Sequence, residues 1–264
     1  MTKALLAAIA ALMCCNLAFA QSPIRVEYHA KWKQANENKT ILDDDNMLII
    51  SGEHSKFYSI RQERFEQFAD SMERTNPNIG LMGVRAKRGC PEEGSLYIIF
   101  KNYPKTGTLT YIEKKGNLDY LYEETIPTPE WQLVDGDTTI LSYPCQKAVS
   151  HFRGRVWTAW YAPELPYDNG PWKLGGLPGL ILKAEEQEGV FSFTATGIEK
   201  TKASDLKPAD FHYARCTRKE FMDLLDEYYG NRYRFAMKQL GFTDDDGEIP
   251  GLAHESPCLL DPED

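Results

Sequence analysis

The chain has 264 residues, with 39 acidic and 30 basic side chains and a formal net charge of −9 at pH 7. This length suits one or two domains with a sizeable core, while the acidic balance argues against a nucleic-acid partner, because phosphate binding needs clustered Lys and Arg. Beyond the N-terminus no apolar run approaches the length of a membrane span, so we predict no transmembrane segment in the mature chain.

The N-terminus has the layout of a secretory signal peptide. Lys3 precedes an apolar run over Ala4–Cys15, and Ala18–Ala20 supplies small residues at its end. We therefore expect cleavage after Ala20 and export to the periplasm or out of the cell. Lipid attachment at Cys14 is the alternative, although the residues before it are larger than those usually found there.

The segment after the predicted cleavage site alternates apolar and polar residues. IRVEYHAKW, which starts at Ile24, is therefore predicted to be a strand. NMLIISGEHSKFYSI, which starts at Asn46, predicts two strands around a turn at Ser51–Glu53. From Arg61 apolar residues recur at helical spacing among charges, which predicts a helix to about Arg74.

The middle of the chain contains many short apolar segments separated by Gly, Pro, Asn or Asp. They are SLYIIFKNYP, TGTLTYIEKK, LDYLYEETIP, EWQLVDG, TTILSYP, CQKAVSHF and GRVWTAWYA, followed by the hairpin pattern GLILKAEEQEGVFSFTATGIEK. Their spacing of about ten residues and their tight turns predict an antiparallel meander. A parallel α/β fold is disfavoured because there is no room for crossover helices.

The C-terminal part has a helical pattern. Thr217 and Glu220 have capping-box spacing before an apolar stripe, and a second short helix is predicted over about 232–240. We therefore predict an α+β fold that is predominantly antiparallel β, a curved, half-barrel-like meander sheet with one or two helices packed on it. The expected organisation is a signal peptide at 1–20, a single β-rich domain at 21–242 and an acidic tail at 243–264.

Four cysteines remain in the predicted mature chain: Cys90, Cys145, Cys216 and Cys258. In an exported protein an even number favours disulfides, so we predict two, with three pairings that the sequence leaves open. Zinc is the competing interpretation. It is less favoured because the chain has no Cys-x-x-Cys pair and no tight Cys/His cluster.

The sequence contains no familiar catalytic pattern. His-Glu-x-x-His, Gly-x-Ser-x-Gly and the Gly-rich phosphate and dinucleotide loops are missing, and the five histidines are scattered. The acidic runs at 42–46 and 243–248 lack the spacing of a calcium loop, so we predict that both are solvated loops. We therefore predict no catalytic residue, no cofactor and no metal, which favours a protein that is not an enzyme.

The most unusual segment is GPWKLGGLPGLIL, which places Gly and Pro directly before an unbroken apolar run. It predicts a rigid, folded-back loop between two buried strands, because Pro restricts the backbone and Gly permits sharp turns and close approach. The structural residues of this loop are predicted to be Gly170, Pro171, Gly175, Gly176 and Gly179.

Large apolar side chains surround this loop in the sequence. Our functional hypothesis is that they line the mouth of an apolar, ligand-binding cavity; the alternative is that they only close one end of the core. The predicted ligand-binding residues are Trp157, Trp160, Tyr161, Trp172, Leu177 and Pro178.

The motif GLPGLI at Gly176–Ile181, with its approach YPCQKAVSHFRGRVWTAWYAPELP at Tyr143–Pro166, resembles the GLPGLI family of exported Gram-negative bacterial proteins. The resemblance implies export and a similar size, and it supplies no catalytic residue. The predicted curved sheet also resembles periplasmic lipoprotein carriers of the LolA type, which is an architectural analogy.

These features together predict a periplasmic binding or carrier protein. The expected partner is apolar or lipid-bearing: a lipid, a lipoprotein or an envelope protein. The alternative is an envelope assembly or protein-interaction factor that works through an exposed sheet edge or through the aromatic loop. A hydrolase with dispersed catalytic residues is the third hypothesis.

Overall fold

A computed structural model describes residues 22–33, 40–204 and 206–239. Its core is one sheet of 12 strands in the order β12-β6-β5-β4-β3-β2-β1-β11-β10-β9-β8-β7. The strands are Ile24–Lys33 (β1), Ile41–Ser51 (β2), His54–Ser59 (β3), Tyr97–Lys101 (β4), Thr108–Lys115 (β5), Leu118–Thr125 (β6), Gln132–Ile140 (β7), Tyr143–Phe152 (β8), Arg155–Ala162 (β9), Leu180–Glu186 (β10), Phe191–Lys200 (β11) and Ala214–Arg215 (β12).

Four helices accompany the sheet in the described part of the chain. They are Ile60–Thr75 (α1), Gly80–Arg85 (α2), Arg218–Gly230 (α3) and Arg232–Gln239 (α4). None of them combines the length and the apolar character that crossing a membrane requires.

The sheet is antiparallel except where the short strand β12 pairs in parallel with β6. Most neighbours in the sheet are also neighbours in sequence, and β1 joins the two halves by pairing with both β2 and β11. Tight hairpins make this possible: Arg153 and Gly154, between β8 and β9, both have positive φ, as a two-residue hairpin turn requires. The predicted fold class, a mostly antiparallel meander sheet with a few helices, is confirmed.

Some local predictions differ from the structure. The predicted break between the segments EWQLVDG and TTILSYP lies inside the single strand β7, because Gly136 sits in a β-bulge where the register shifts between Val134 and Asp137. The helix α2 and the strand β12 were not predicted; α2 has only six residues and β12 only two.

The acidic run at 42–46 is not a solvated loop, because it belongs to β2. Asp44 in this run is buried, and its carboxylate accepts hydrogen bonds from the Ser59 hydroxyl at 2.9 Å and the Ser95 amide at 2.8 Å. These donors stabilise a carboxylate that burial alone would disfavour. The predicted signal peptide, the second acidic run and the acidic tail lie outside the described residues.

The main core lies where β1, β9, β10 and β11 meet the loop between β9 and β10. Along β9 the exposure alternates, with Trp157 and Ala159 fully buried and Trp160 half-buried, as the two-residue period of a strand requires. Trp172 from the loop stacks on Trp157 with ring centroids 5.8 Å apart. The loop therefore packs on the Trp157 face of the sheet.

Candidate functional site

A cavity of about 270 Å³ lies between the helix α3 and the face of the sheet that carries Trp172. Its walls come from β1, β4, β5, β6 and β11, from α3 and from the loop between β9 and β10. Most of its lining is aromatic. The aromatic residues are Trp32, Tyr97, Tyr111, Tyr122, Trp172, Phe191, Phe193, Phe221 and Tyr229.

The sheet side of this cavity is a ladder of stacked tyrosines. Tyr97 in β4, Tyr111 in β5 and Tyr122 in β6 have centroid separations of 6.0 and 4.8 Å, with ring planes inclined by only 16° and 18°. Tyr111 and Tyr122 are direct cross-strand partners. Such pairs stabilise a sheet beyond the area that they bury, so this wall is rigid.

The helix side of the cavity is fixed by the start of α3. Thr217 and Glu220 form the predicted capping box, which satisfies the first free amides of the helix. Phe221 then packs on Tyr111 and Tyr122, with centroids 5.6 and 5.5 Å away. The predicted helix is confirmed, and its apolar face covers the tyrosine ladder.

One end of the cavity contains a buried ion pair. The Lys115 ammonium lies 2.8 Å from Glu113, and the Tyr111 hydroxyl donates to the other oxygen of the same carboxylate at 2.8 Å. Burial disfavours the charged form of Lys115, but Glu113 and the neighbouring Tyr229 outweigh it, so the pKa of Lys115 is raised. Burial raises the pKa of Tyr111 well above its usual value. Both groups therefore stay protonated and act as hydrogen-bond donors.

The other end of the cavity is closed by the loop between β9 and β10. Trp172 has a φ of +54° and is buried, and the next residue, Lys173, is also fully buried. The Lys173 ammonium donates to the Tyr122 hydroxyl at 2.9 Å and to Glu124 at 2.7 Å. Arg153 binds the second oxygen of Glu124 at 2.7 Å. An ionic cluster thus holds the end of the cavity in place.

A second buried lysine fixes the shape of the same loop. Lys101 donates to the Asn169 side chain at 2.9 Å and to the Leu174 carbonyl at 2.6 Å. The Trp131 indole donates to the Gly175 carbonyl at 2.7 Å. Burial lowers the pKa of Lys101 to about 7, and only Asp168 opposes this effect.

This lowered pKa predicts a dependence of stability on pH. Between about 7 and the ordinary lysine value of 10.5 the unfolded chain binds a proton that folded Lys101 does not. The contribution of Lys101 to the free energy of unfolding should therefore rise with pH in this window, by up to about 1.4 kcal/mol per pH unit. Denaturant titrations of the wild type and of Lys101→Met at pH 7 to 9.5 measure the difference in slope. Parallel profiles would contradict the prediction.

The predicted ligand-binding residues do not form one site. Trp172 lines the cavity, whereas Trp157, Tyr161 and Leu177 are buried in the core. Two others are more exposed. Trp160 is half-buried on the opposite face of the sheet, and Pro178 is exposed and does not line the cavity. A role in ligand binding stays a prediction for all six.

The predicted loop residues support close packing. A Cβ on Gly170 would lie 2.9 Å from the Cβ of Ile181, and Gly176 has a φ of +84°. Pro171 and Gly175 are buried beside them, and Gly179 approaches the backbone of Ala162. Glycine is favoured at Gly170, Gly176 and Gly179 because a side chain there has no room or would be strained, whereas a Cβ on Gly175 would make only ordinary contacts, the nearest at 3.5 Å.

No disulfide joins two cysteines within the described residues, so the two predicted bridges are not found there. Cys90, Cys145 and Cys216 are free thiols, and Cys258 lies outside the described residues. Because Cys258 can take part in only one bridge, a second bridge would have to join two of these three cysteines. The fold separates Cys145 in β8 from Cys216 beside β12, because these strands lie near opposite ends of the sheet.

Most of the residues that line the cavity were not predicted from the sequence. The signal that marks them is the alternation along β5, where Tyr111, Glu113 and Lys115 share one face of the strand and two of the three carry charge. A buried face with neighbouring charges is unusual for a core strand and indicates a special environment. The contribution of α3 has no such local signal.

Comparison with known proteins adds a family and a fold. The sequence profile of the family described as "N-glycanase peptide, N-terminal domain" matches residues 86–225, which is not the GLPGLI family that the sequence resembles. No curated protein matches the chain. The crystal structure of PNGF-II is similar to this chain with a TM-score of 0.52 and 16% identity, over 76% of this chain and 32% of PNGF-II; a second crystal form gives 0.52 and 15%.

The chain thus spans about a third of the length of PNGF-II, and the likeness concerns the fold alone. Two other solved structures are more distant. A DUF1329 family protein from Desulfovibrio piger has a TM-score of 0.31 and 8% identity, over 78% of this chain and 95% of that one. A LolA superfamily protein from Nitrosomonas europaea has a TM-score of 0.27 and 9% identity, over 72% and 89%. At these scores neither structure supports a conclusion about the fold or the function of this chain.

Proposed function

We propose that this chain, which belongs to the family described as "N-glycanase peptide, N-terminal domain", is an exported ligand-binding protein whose site is the cavity beneath α3. The observation that carries the proposal is the aromatic lining of this cavity. The ligand is amphipathic: an apolar body lies along the tyrosine ladder, and a polar head group lies at the Glu113–Lys115 pair.

The lining favours an apolar ligand body for a physical reason. Ligand sites are usually concave and mainly apolar, with a few polar groups that fix orientation. Here Trp32, Phe191 and Phe193 line the cavity together with the tyrosine ladder, and the charged residues of the lining are Lys31, Glu113 and Lys115. The volume of about 270 Å³ is close to the lower limit of about 300 Å³ for small-molecule pockets. It suits a single acyl chain or a molecule of similar size.

The chemistry of the lining favours binding over catalysis. General acid–base catalysis works best with groups whose pKa lies near the operating pH. Tyr111 and Lys115 have raised pKa values and so keep their protons. Glu113 is engaged by both of them. These groups are suited to hold a polar head group.

Native mass spectrometry of the full chain tests the proposal. The protein is incubated with saturated fatty acids of eight to sixteen carbons and with a lysophospholipid, and we expect a one-to-one adduct with at least one of them. Met222→Trp, which fills the cavity from α3, should remove the adduct; Asp226→Trp, on the exposed face of the same helix, should keep it. No adduct with any probe, or equal adducts in both variants, would overturn the proposal.

A role as a protein-interaction factor is the second candidate, and the edge strand β7 favours it. Eight of its nine residues are exposed, and Leu133 and Val134 are exposed apolar side chains. An unpaired edge can accept a strand from a partner. The bulge at Gly136, with Asp135 and Asp137 beside it, opposes such pairing, so this candidate ranks below ligand binding. Leu133→Lys should then abolish an interaction in the envelope while the ligand adduct persists.

A further inference from the structure

A groove of about 610 Å³ lies on the face of the sheet opposite to the aromatic cavity. Cross-strand pairing builds its floor, because Trp160 of β9 is paired with Lys183 of β10, Lys183 with Thr194 of β11, and Thr194 with His29 of β1. These four side chains therefore form one row across the sheet. The groove does not depend on α3 or on the tyrosine ladder.

At the β9 end of the row, two ammonium groups lie near one indole ring. The Lys183 nitrogen lies 4.7 Å from the centroid of the Trp160 ring, and that of Lys147, its partner in β8, lies 5.8 Å away. Contacts of this kind hold a lysine beside an aromatic ring while leaving its hydrogens available. Part of the Trp160 ring remains exposed to the groove.

The rest of the groove offers hydroxyl groups. Thr138 from β7 and Ser192, Thr194 and Thr196 from β11 line it. Glu185 is the carboxylate of the lining, and it forms an ion pair with Lys183 at 2.7 Å. A purely apolar ligand would leave these polar groups without water or a partner, which is costly.

The charges of the groove favour an anion. Lys31, Lys183 and the carboxylate of Glu185 line the groove, and Lys147 lies beside the Trp160 ring, so lysines outnumber carboxylates here in a protein whose net charge is −9. His29 contacts Asp45 at 2.9 Å and Asp43 at 3.6 Å at the β2 end of the row. Both of these carboxylates also bind Arg61, each at 3.1 Å, and Asp43 is the cross-strand partner of Lys31. One guanidinium offsets only one of the two carboxylates, and the other offsets Lys31. The positive charge available to a ligand therefore lies at Lys147 and Lys183.

We propose that this groove binds an acidic carbohydrate, a pyranose unit that carries a carboxylate or a sulfate. The apolar face of the sugar ring contacts the exposed part of Trp160. Its hydroxyl groups exchange hydrogen bonds with Thr194, Ser192 and Glu185, and its anionic group lies at Lys183 and Lys147, beside the Trp160 ring. A nucleic acid does not fit, because three lysines on an acidic protein neutralise too few phosphates.

Isothermal titration calorimetry of the full chain tests this inference with oligogalacturonate, a heparin-derived hexasaccharide and neutral cellohexaose. We expect at least one acidic probe to bind, with affinity that falls as salt increases, and cellohexaose to bind at least about tenfold more weakly. Tighter binding of oligogalacturonate indicates that the groove prefers a carboxylate, and tighter binding of the heparin-derived hexasaccharide indicates that it prefers a sulfate.

The matched variants locate the binding. Trp160→Ala and Lys183→Met should each weaken the acidic probe by at least about tenfold, and Trp160→Phe should retain part of the affinity. Lys87→Met, at an exposed lysine outside the sheet, should bind like the wild type. No binding of either acidic probe, equal binding of cellohexaose, or an equal loss in Lys87→Met would overturn the inference. Met222→Trp, which blocks the aromatic cavity, should leave carbohydrate binding unchanged, so the two proposals fail separately.

Discussion

Replacing Glu124 by leucine is expected to lower the free energy of unfolding by about 3–5 kcal/mol, because it leaves buried positive charge without its carboxylate. Lys173 is fully buried and lies 2.7 Å from one oxygen of Glu124, and Arg153 lies 2.7 Å from the other. Removing this carboxylate from a buried ammonium and from a guanidinium costs more than the apolar contacts that leucine would add. Chemical denaturation at pH 7 measures the change.

The neighbouring Glu123 is the matched control. Its ion pair with Arg215 spans 3.1 Å but is exposed to solvent, so Glu123→Leu should cost at most about 1 kcal/mol. Adding Lys173→Met to Glu124→Leu should recover part of the lost stability, because the buried ammonium is then gone. A loss below about 1 kcal/mol in Glu124→Leu would show that the cluster does not hold the loop.

Replacing Gly179 by alanine is expected to cost about 3 kcal/mol or more. A Cβ at this position would overlap the carbonyl oxygen of Ala162 and lie 2.8 Å from its carbonyl carbon. These are backbone atoms of the paired strand β9, whose register with β10 starts at Ala162 and Leu180. The clash can be relieved only by moving the strands apart, so thermal and chemical denaturation should both show the loss.

Gly52 provides a control that separates the clash from the conformational preference of glycine. It has a φ of +62° in the turn between β2 and β3, and nothing lies within 4 Å of an added Cβ. Gly52→Ala should therefore cost only about 1–2 kcal/mol, the usual penalty for a side chain in this conformation. Equal losses in the two variants would contradict the close packing of the loop.

The strands and the main helices were predictable because their signals are local. Each of these signals lies within one short segment, so it can be recognised without knowledge of the tertiary contacts. Examples are the alternation in β1 and β9, the helical spacing after Arg61 and the capping box at Thr217. β7 was divided in error because a glycine within a strand has the same signature as a turn. Only its pairing with β8 distinguishes a bulge from a turn.

The candidate site was less predictable because it depends on pairing between distant segments. Period-two alternation already places Trp157 and Trp160 on opposite faces of β9, so one site could not contain both. The cavity forms only where β1, β11 and α3 pack near the tyrosine ladder. No local sequence pattern indicates that these distant segments lie close together. The Gly/Pro loop was correctly expected to be folded back on the sheet, but its lysine anchors, Lys101 and Lys173, gave no signal.

Photo-crosslinking tests the central claim, that the cavity beneath α3 is the ligand site, most directly. A fatty acid that carries a diazirine near its last carbons is bound to the full chain and irradiated, and labelled peptides are mapped by mass spectrometry. We predict saturable labels on Met222 and Leu225 of α3 and on Phe191 of β11, which line the cavity, and their loss in Met222→Trp. Labels confined to the Trp160 face, or labels that unlabelled fatty acid does not displace, would contradict the account.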